Sequence, residues 1–127
     1  MNQSAARPIT ARPDAATVLT KALLRAAERL AMRQRDLAAI LGSSEASVSR
    51  LNLERKLEPS SKEGELALLF LRAYRSLDTL VGGDEAAARE WVHASNTHVG
   101  GIPAERMRTV EGLVDVVRYL DALRGTL

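Results

Sequence analysis

The sequence predicts an all-α protein in two parts, and three observations carry that expectation. Of its 127 residues 46% are hydrophobic but only 3% are aromatic, so the apolar content is mostly Ala and Leu, both strong helix formers. β-branched and aromatic residues are too few for several buried strands. Apolar positions also recur three and four residues apart in each long segment, the spacing of one helix face. The chain has no Cys, which excludes disulfides, thiolate metal sites and a Cys nucleophile together. A chain of this size buries a real core without such staples. No apolar run approaches the roughly 20 residues of a membrane span, and the start MNQSAARPITARPD has no signal-peptide hydrophobic region. The expected location is the cytoplasm, with no membrane partner.

The elements follow in order. Residues 1–13, small, polar and broken by Arg7-Pro8 and Arg12-Pro13, read as a disordered tail or as a basic arm lying along a DNA groove. Asp14 is a candidate N-cap for a helix whose stripe is Leu19, Leu23, Ala26 and Leu30. A short helix with Leu37, Ala38 and Leu41 ends at Gly42, where glycine allows a left-handed cap. Ser43 or Ser44 caps the next helix, whose inner face carries Val48 and Leu51. Two helices this short, joined by so tight a turn, must cross steeply.

Residues 14–58 thus form one domain, and 59–63, within a polar stretch containing Pro59 and paired serines, read as a linker to a second domain over 64–127. There Leu66, Leu69, Phe70, Ala73, Leu77 and Leu80 mark a helix of about four turns stopped by Gly82-Gly83. Asp84 caps a short helix through Trp91 and Val92, Ser95 to Ile102 form a glycine-bearing loop, and Pro103 sits where a helix begins. Thr109 caps the last helix. Its stripe of Val110, Leu113, Val117 and Leu120, widened by Val114, Val116 and Leu123, exceeds what one neighbouring helix covers, so a partner chain is expected on it. Trp91 is expected in the core between helices.

Charge is split along the chain. The net +2 divides into +5 over residues 1–62 and −3 over 63–127, and all cations except Lys21, Lys56 and Lys62 are arginines, whose planar fork suits phosphate oxygens. The front half is the one suited to a polyanion.

Residues 34–53, QRDLAAILGSSEASVSRLNL, place Gln34 at the opening of the unit, a small Ala38 where two helices touch, Gly42 in the turn, and Val48 and Leu51 inside. This pattern resembles the helix-turn-helix of the Cro and repressor class, the family labelled Xre. The outward face is then Ser44, Glu45, Ser47, Ser49 and Arg50, which can approach base edges in a major groove. Arg50 is the candidate for a guanine or a phosphate, Gln34 and Arg35 for backbone contacts, and Arg55 and Lys56 for flanking phosphates. Glu45 fits a DNA surface only where it accepts from a cytosine amine.

In the back half Leu71 to Leu77 (LRAYRSL), Gly82 to Glu85 (GGDE), Ala88 to Val92 (AREWV), Asn96, Gly100 to Pro103 (GGIP) and Thr109 to Gly112 (TVEG) precede an apolar helix. This order is similar to the small helical domain of antitoxins of the Xre, MbcA and ParS group. The resemblance implies a type II toxin-antitoxin system in which a RES-domain toxin consumes NAD. The antitoxin, usually a dimer, blocks the toxin pocket and represses its own operon by binding operator DNA. It also directs attention to the end of the last helix and the tail: Arg118, Leu123, Arg124, Gly125, Thr126 and Leu127. Arg118 and Arg124 could oppose a pocket built for an anionic dinucleotide, or could simply be favourable charges near a helix C-terminus.

No catalytic triad, phosphate-cradling glycine loop or isolated carboxylate pair stands out, so no enzyme activity and no cofactor are expected. His93 and His98 are five apart, a poor spacing for one helix face, so no metal site is expected either. A stand-alone dimeric repressor without a toxin is the alternative function.

Overall fold

The computed structural model describes residues 14–126, which form seven α-helices: α1 Ala15–Arg29, α2 Gln34–Leu41, α3 Glu45–Ser49, α4 Lys62–Leu80, α5 Glu85–His93, α6 Pro103–Arg106 and α7 Val110–Arg124. The chain is all-α, as its composition predicts. The tail reading over residues 1–13 and the reading of Leu127 fall outside the described residues.

Local chemistry sets the helix ends. Asp14, Ser44, Ser61, Asp84 and Thr109 each accept a backbone N–H three residues on, which satisfies one of the donors a helix start leaves open. Gly42 closes α2 at φ 69°, the left-handed region that its lack of Cβ permits. Recognition-segment α3 runs only five residues before tightening into a 3₁₀ turn at Arg50–Asn52. There the Arg50 carbonyl accepts the N–H groups of Leu53, Glu54 and Arg55 at 3.1, 3.2 and 3.1 Å.

Helix α4 is the centre of the molecule. It packs on α1 and α2 along one side and on α5 and α7 along the other. Phe70, fully buried, sits in a single hydrophobic core that joins Leu23, Leu41 and Leu51 of the front part to Val92, Leu113 and Leu120 of the back part. The stretch 59–63 holds Pro59, Ser60 and the Ser61 cap, and Lys62 and Glu63 already open α4. Thr20 donates to the Ala16 carbonyl at 2.7 Å and accepts from the Leu57 N–H at 2.8 Å, tying the segment after the 3₁₀ turn back to α1.

The stripe on α7 has a different cover from the one its width predicts. Leu113, Val116, Val117 and Leu120 are all buried within this chain, with α4 the main neighbour of α7, so they offer no free face to a partner. Val110, expected with them, is 61% exposed, because α7 turns it away from α4 at the first helical position. Trp91 is only partly buried: it packs against the core with one part and leaves another at the surface.

Candidate functional site

With Val48 and Leu51 buried, the rest of the recognition segment must face out. Ser44, Glu45, Ser49 and Arg50 are exposed and Ser47 is half-buried. Among the described residues the Arg50 guanidinium makes no ion pair and no side-chain hydrogen bond, and the same holds for Arg35 and Lys56. Gln34 is exposed but already engaged: its Nε2 donates to the Glu45 carbonyl at 2.9 Å, joining the start of α2 to the start of α3.

Arg55 does not point at a solvent-exposed phosphate position. Its Nη1 and Nη2 donate to the two oxygens of Glu63 at 2.8 and 2.9 Å, and its Nε donates to the Ser47 carbonyl at 3.1 Å. Ser43 adds its hydroxyl to the same carboxylate. The fork of Arg55 matches one carboxylate in two-point geometry, so an internal partner takes the group that the sequence offers to DNA. Arg55, Ser43 and Glu63 thus clamp the recognition segment to α4. The hydrogen bonds from Arg55, outweighing burial, hold the Glu63 carboxyl below the usual carboxylate range, and Ser43 adds to that effect.

A second ionic centre was hidden in the sequence. Asp36 on α2 is 1% exposed and accepts from Arg33 Nε at 3.1 Å and from Arg108 Nε at 3.0 Å, with Arg108 Nη2 on the same oxygen. Burial pushes its carboxyl upward, but the bonds from Arg108 and then Arg33 outweigh this, and the net shift is downward. The signal was present: Asp36 lies one turn before Ile40 on the buried stripe of α2, where a carboxylate needs a partner. Its partner, 72 residues on, could not be named from spacing. Helix α5 makes a further clasp, since Arg89 donates to the carbonyls of Arg29 and Glu28 at 2.7 and 3.3 Å, and His93 Nε2 lies 2.8 Å from the Leu30 carbonyl. The open C-terminal carbonyls of α1 are thereby satisfied from the back half. Ala31 beyond them holds φ 54°, unusual without glycine.

The expected contact residues at the other end are spread around α7. Arg118 is exposed and without an ion pair among the described residues, Leu123 is half-buried, and Gly125 and Thr126 are exposed. Arg124 is exposed too, but its Nη1 lies 3.4 Å from the buried Ser76 Oγ, which itself donates to Asp121 at 3.0 Å.

Two family models match. Residues 10–72 match the antitoxin Xre-like helix-turn-helix domain, and residues 76–125 match the antitoxin Xre/MbcA/ParS C-terminal toxin-binding domain. The chain belongs to the Xre/MbcA/ParS antitoxin family. No curated protein matches it by sequence. The two matched segments of this antitoxin meet inside α4, the helix whose sides both parts share. The family is one of antitoxins that carry a helix-turn-helix and a toxin-binding domain, and it is not an enzyme family. No helix among the described residues is long and apolar enough to cross a membrane.

Proposed function

We propose that this antitoxin binds and inhibits a RES-domain, NAD-consuming toxin by blocking its active-site pocket, and represses its own operon by binding operator DNA. The observation that carries the DNA half is the exposed Arg50, unpaired among the described residues, on a recognition segment braced by Arg55 and Glu63. Arg50 reads a base or grips a phosphate, Ser44, Ser47 and Ser49 supply short donors and acceptors, and Glu45 accepts from a cytosine amine. Arg35 and Lys56 meet the phosphate backbone, while Gln34 and Arg55 position the segment. The protein acts in the cytoplasm without a cofactor and without catalysis of its own, as a dimer on paired half-sites. The α7 stripe is not the dimer face, because α4 covers it.

The toxin half rests on the matched toxin-binding segment and on the exposed Arg118, without an ion pair among the described residues. Arg118, Leu123, Arg124 and the tail of Gly125, Thr126 and Leu127 meet the toxin beside its pocket. Co-expression with a RES-domain product of the adjacent gene tests this. Restored growth and restored NAD, with both proteins in one complex, are the expected result. A chain that shifts operator DNA but neither joins that complex nor protects NAD would be a stand-alone repressor instead.

A further inference from the structure

The back half carries an aromatic surface feature apart from the recognition segment and the C-terminal tail. Trp91 of α5, Tyr119 of α7 and His98 of the intervening loop form one parallel stack. The Trp91 and Tyr119 rings are 6.3 Å apart between centroids and inclined by 8°, and His98 and Tyr119 are 5.4 Å apart and inclined by 11°. Trp91 and Tyr119 are half-buried and His98 is exposed, so the stack runs from the core to the surface. Among the described residues, the indole N–H, the phenol hydroxyl and the imidazole nitrogens of this stack make no hydrogen bond.

The loop that holds His98 is firmly braced. Asn96 and Gly101 exchange backbone hydrogen bonds at 2.9 and 3.0 Å, and the Asn96 carboxamide accepts the His98 N–H at 2.8 Å. From below, Arg106 Nε donates to the Val99 carbonyl at 2.7 Å while its Nη2 holds Asp115 at 2.6 Å. Gly100 and Gly101 take φ 81° and 150°, a path open to glycine. Val99, next in the chain, is buried in the core and anchors the loop, and the same hydrogen bonds fix the backbone that carries the exposed imidazole.

Pre-ordered aromatic groups with unpaired polar edges have the character of binding hot spots, because little ordering remains to be done on association. All three rings lie in the segment matched as toxin-binding. We infer that the Trp91–Tyr119–His98 stack is the anchor on which the toxin docks. This rests on the antitoxin reading and deepens it. The toxin surface that fits has a flat apolar or guanidinium group to cover the outer face of His98 and backbone carbonyls to accept from Trp91 and Tyr119. Leu123, one turn beyond Tyr119 and half-buried, carries the contact toward the tail.

The test measures affinity of the full chain for the purified, catalytically silenced RES-domain product of the adjacent gene. His98→Ala removes an exposed ring, Tyr119→Phe removes one hydroxyl and keeps the stack, and Trp91→Phe removes the indole N–H together with part of the ring surface. Each is expected to weaken toxin binding about tenfold with unchanged operator affinity, and the His98 and Tyr119 variants keep a melting temperature close to the parent's. If the parent binds the toxin and all three variants bind within about twofold of it, the anchor is wrong while the antitoxin reading stands. If the parent itself does not bind, both fall.

Discussion

Two corners of the molecule, one before α4 and one before α7, are built alike. Before α4, Ser61 caps the helix and Gly64 sits three residues on; before α7, Thr109 and Gly112 repeat the arrangement. Each glycine faces the carbonyl six residues back, where an added Cβ would stand 2.0 Å from the Glu58 oxygen or 1.8 Å from the Arg106 oxygen. Each corner also has an upstream arginine that donates through Nε to an earlier carbonyl and through Nη to a helix carboxylate: Arg55 to Ser47 and Glu63, Arg106 to Val99 and Asp115. The difference lies in what is braced. The first corner steadies the recognition segment, the second the loop that presents His98. In both halves an arginine thus ties an exposed segment to the neighbouring helix.

The largest effects come from the glycines. Gly112→Ala and Gly64→Ala force backbone apart at tightly packed helix starts, and each is expected to cost about 3 kcal/mol, read as a loss in urea unfolding free energy. If both substitutions leave stability unchanged, the close approach is not a constraint. Next, Arg55→Met removes a clamp whose partners are each only about a quarter exposed, and a loss of about 1 to 2 kcal/mol follows. The same variant should weaken operator binding without changing its salt dependence. Lys56→Ala should instead reduce the salt slope by about one while leaving stability alone. Equal slopes for the two variants would return Arg55 to the list of phosphate contacts.

Acid weakens both ionic centres. Asp36 and Glu63 both have folded-state pKa values held below the ordinary carboxylate value. Their stabilising contribution is therefore complete above the unfolded value of about 4 and is lost as pH falls through the lower folded values. Unfolding free energy should drop between about pH 5 and about pH 2, and Asp36→Asn should flatten that drop. A parent protein whose stability is constant across that range would contradict the clamp. Smallest is the cap itself: Thr109→Ala should cost about 1 kcal/mol, visible as a small decrease in melting temperature.

Helix starts and stops were legible because they depend on neighbours within four residues. Asp14, Asp84 and Thr109 could be named as caps, and Gly42 as a terminator, from the chain alone, while the cap of α3 was narrowed to Ser43 or Ser44, of which Ser44 is the one used. The outward face of the recognition segment followed from Val48 and Leu51 pointing in. What depended on distant partners was not legible. Nothing local tells Arg55, which has a carboxylate waiting at Glu63, from Lys56, which has none. Nor does the apolar width of α7 reveal that α4 supplies its cover, or that Arg108 completes the Asp36 site. The stack of Trp91, Tyr119 and His98 joins three elements and has no sequence period at all.

The central claim is that one rigid core presents two separate binding faces, and a crossed titration tests it most directly. Operator DNA and the proposed RES-domain partner are each titrated against two variants, Arg50→Ala and His98→Ala. Arg50→Ala should lose about 1 to 3 kcal/mol of operator affinity and keep toxin affinity, while His98→Ala does the reverse. A variant that weakens both partners equally, or the wrong one alone, would contradict the account.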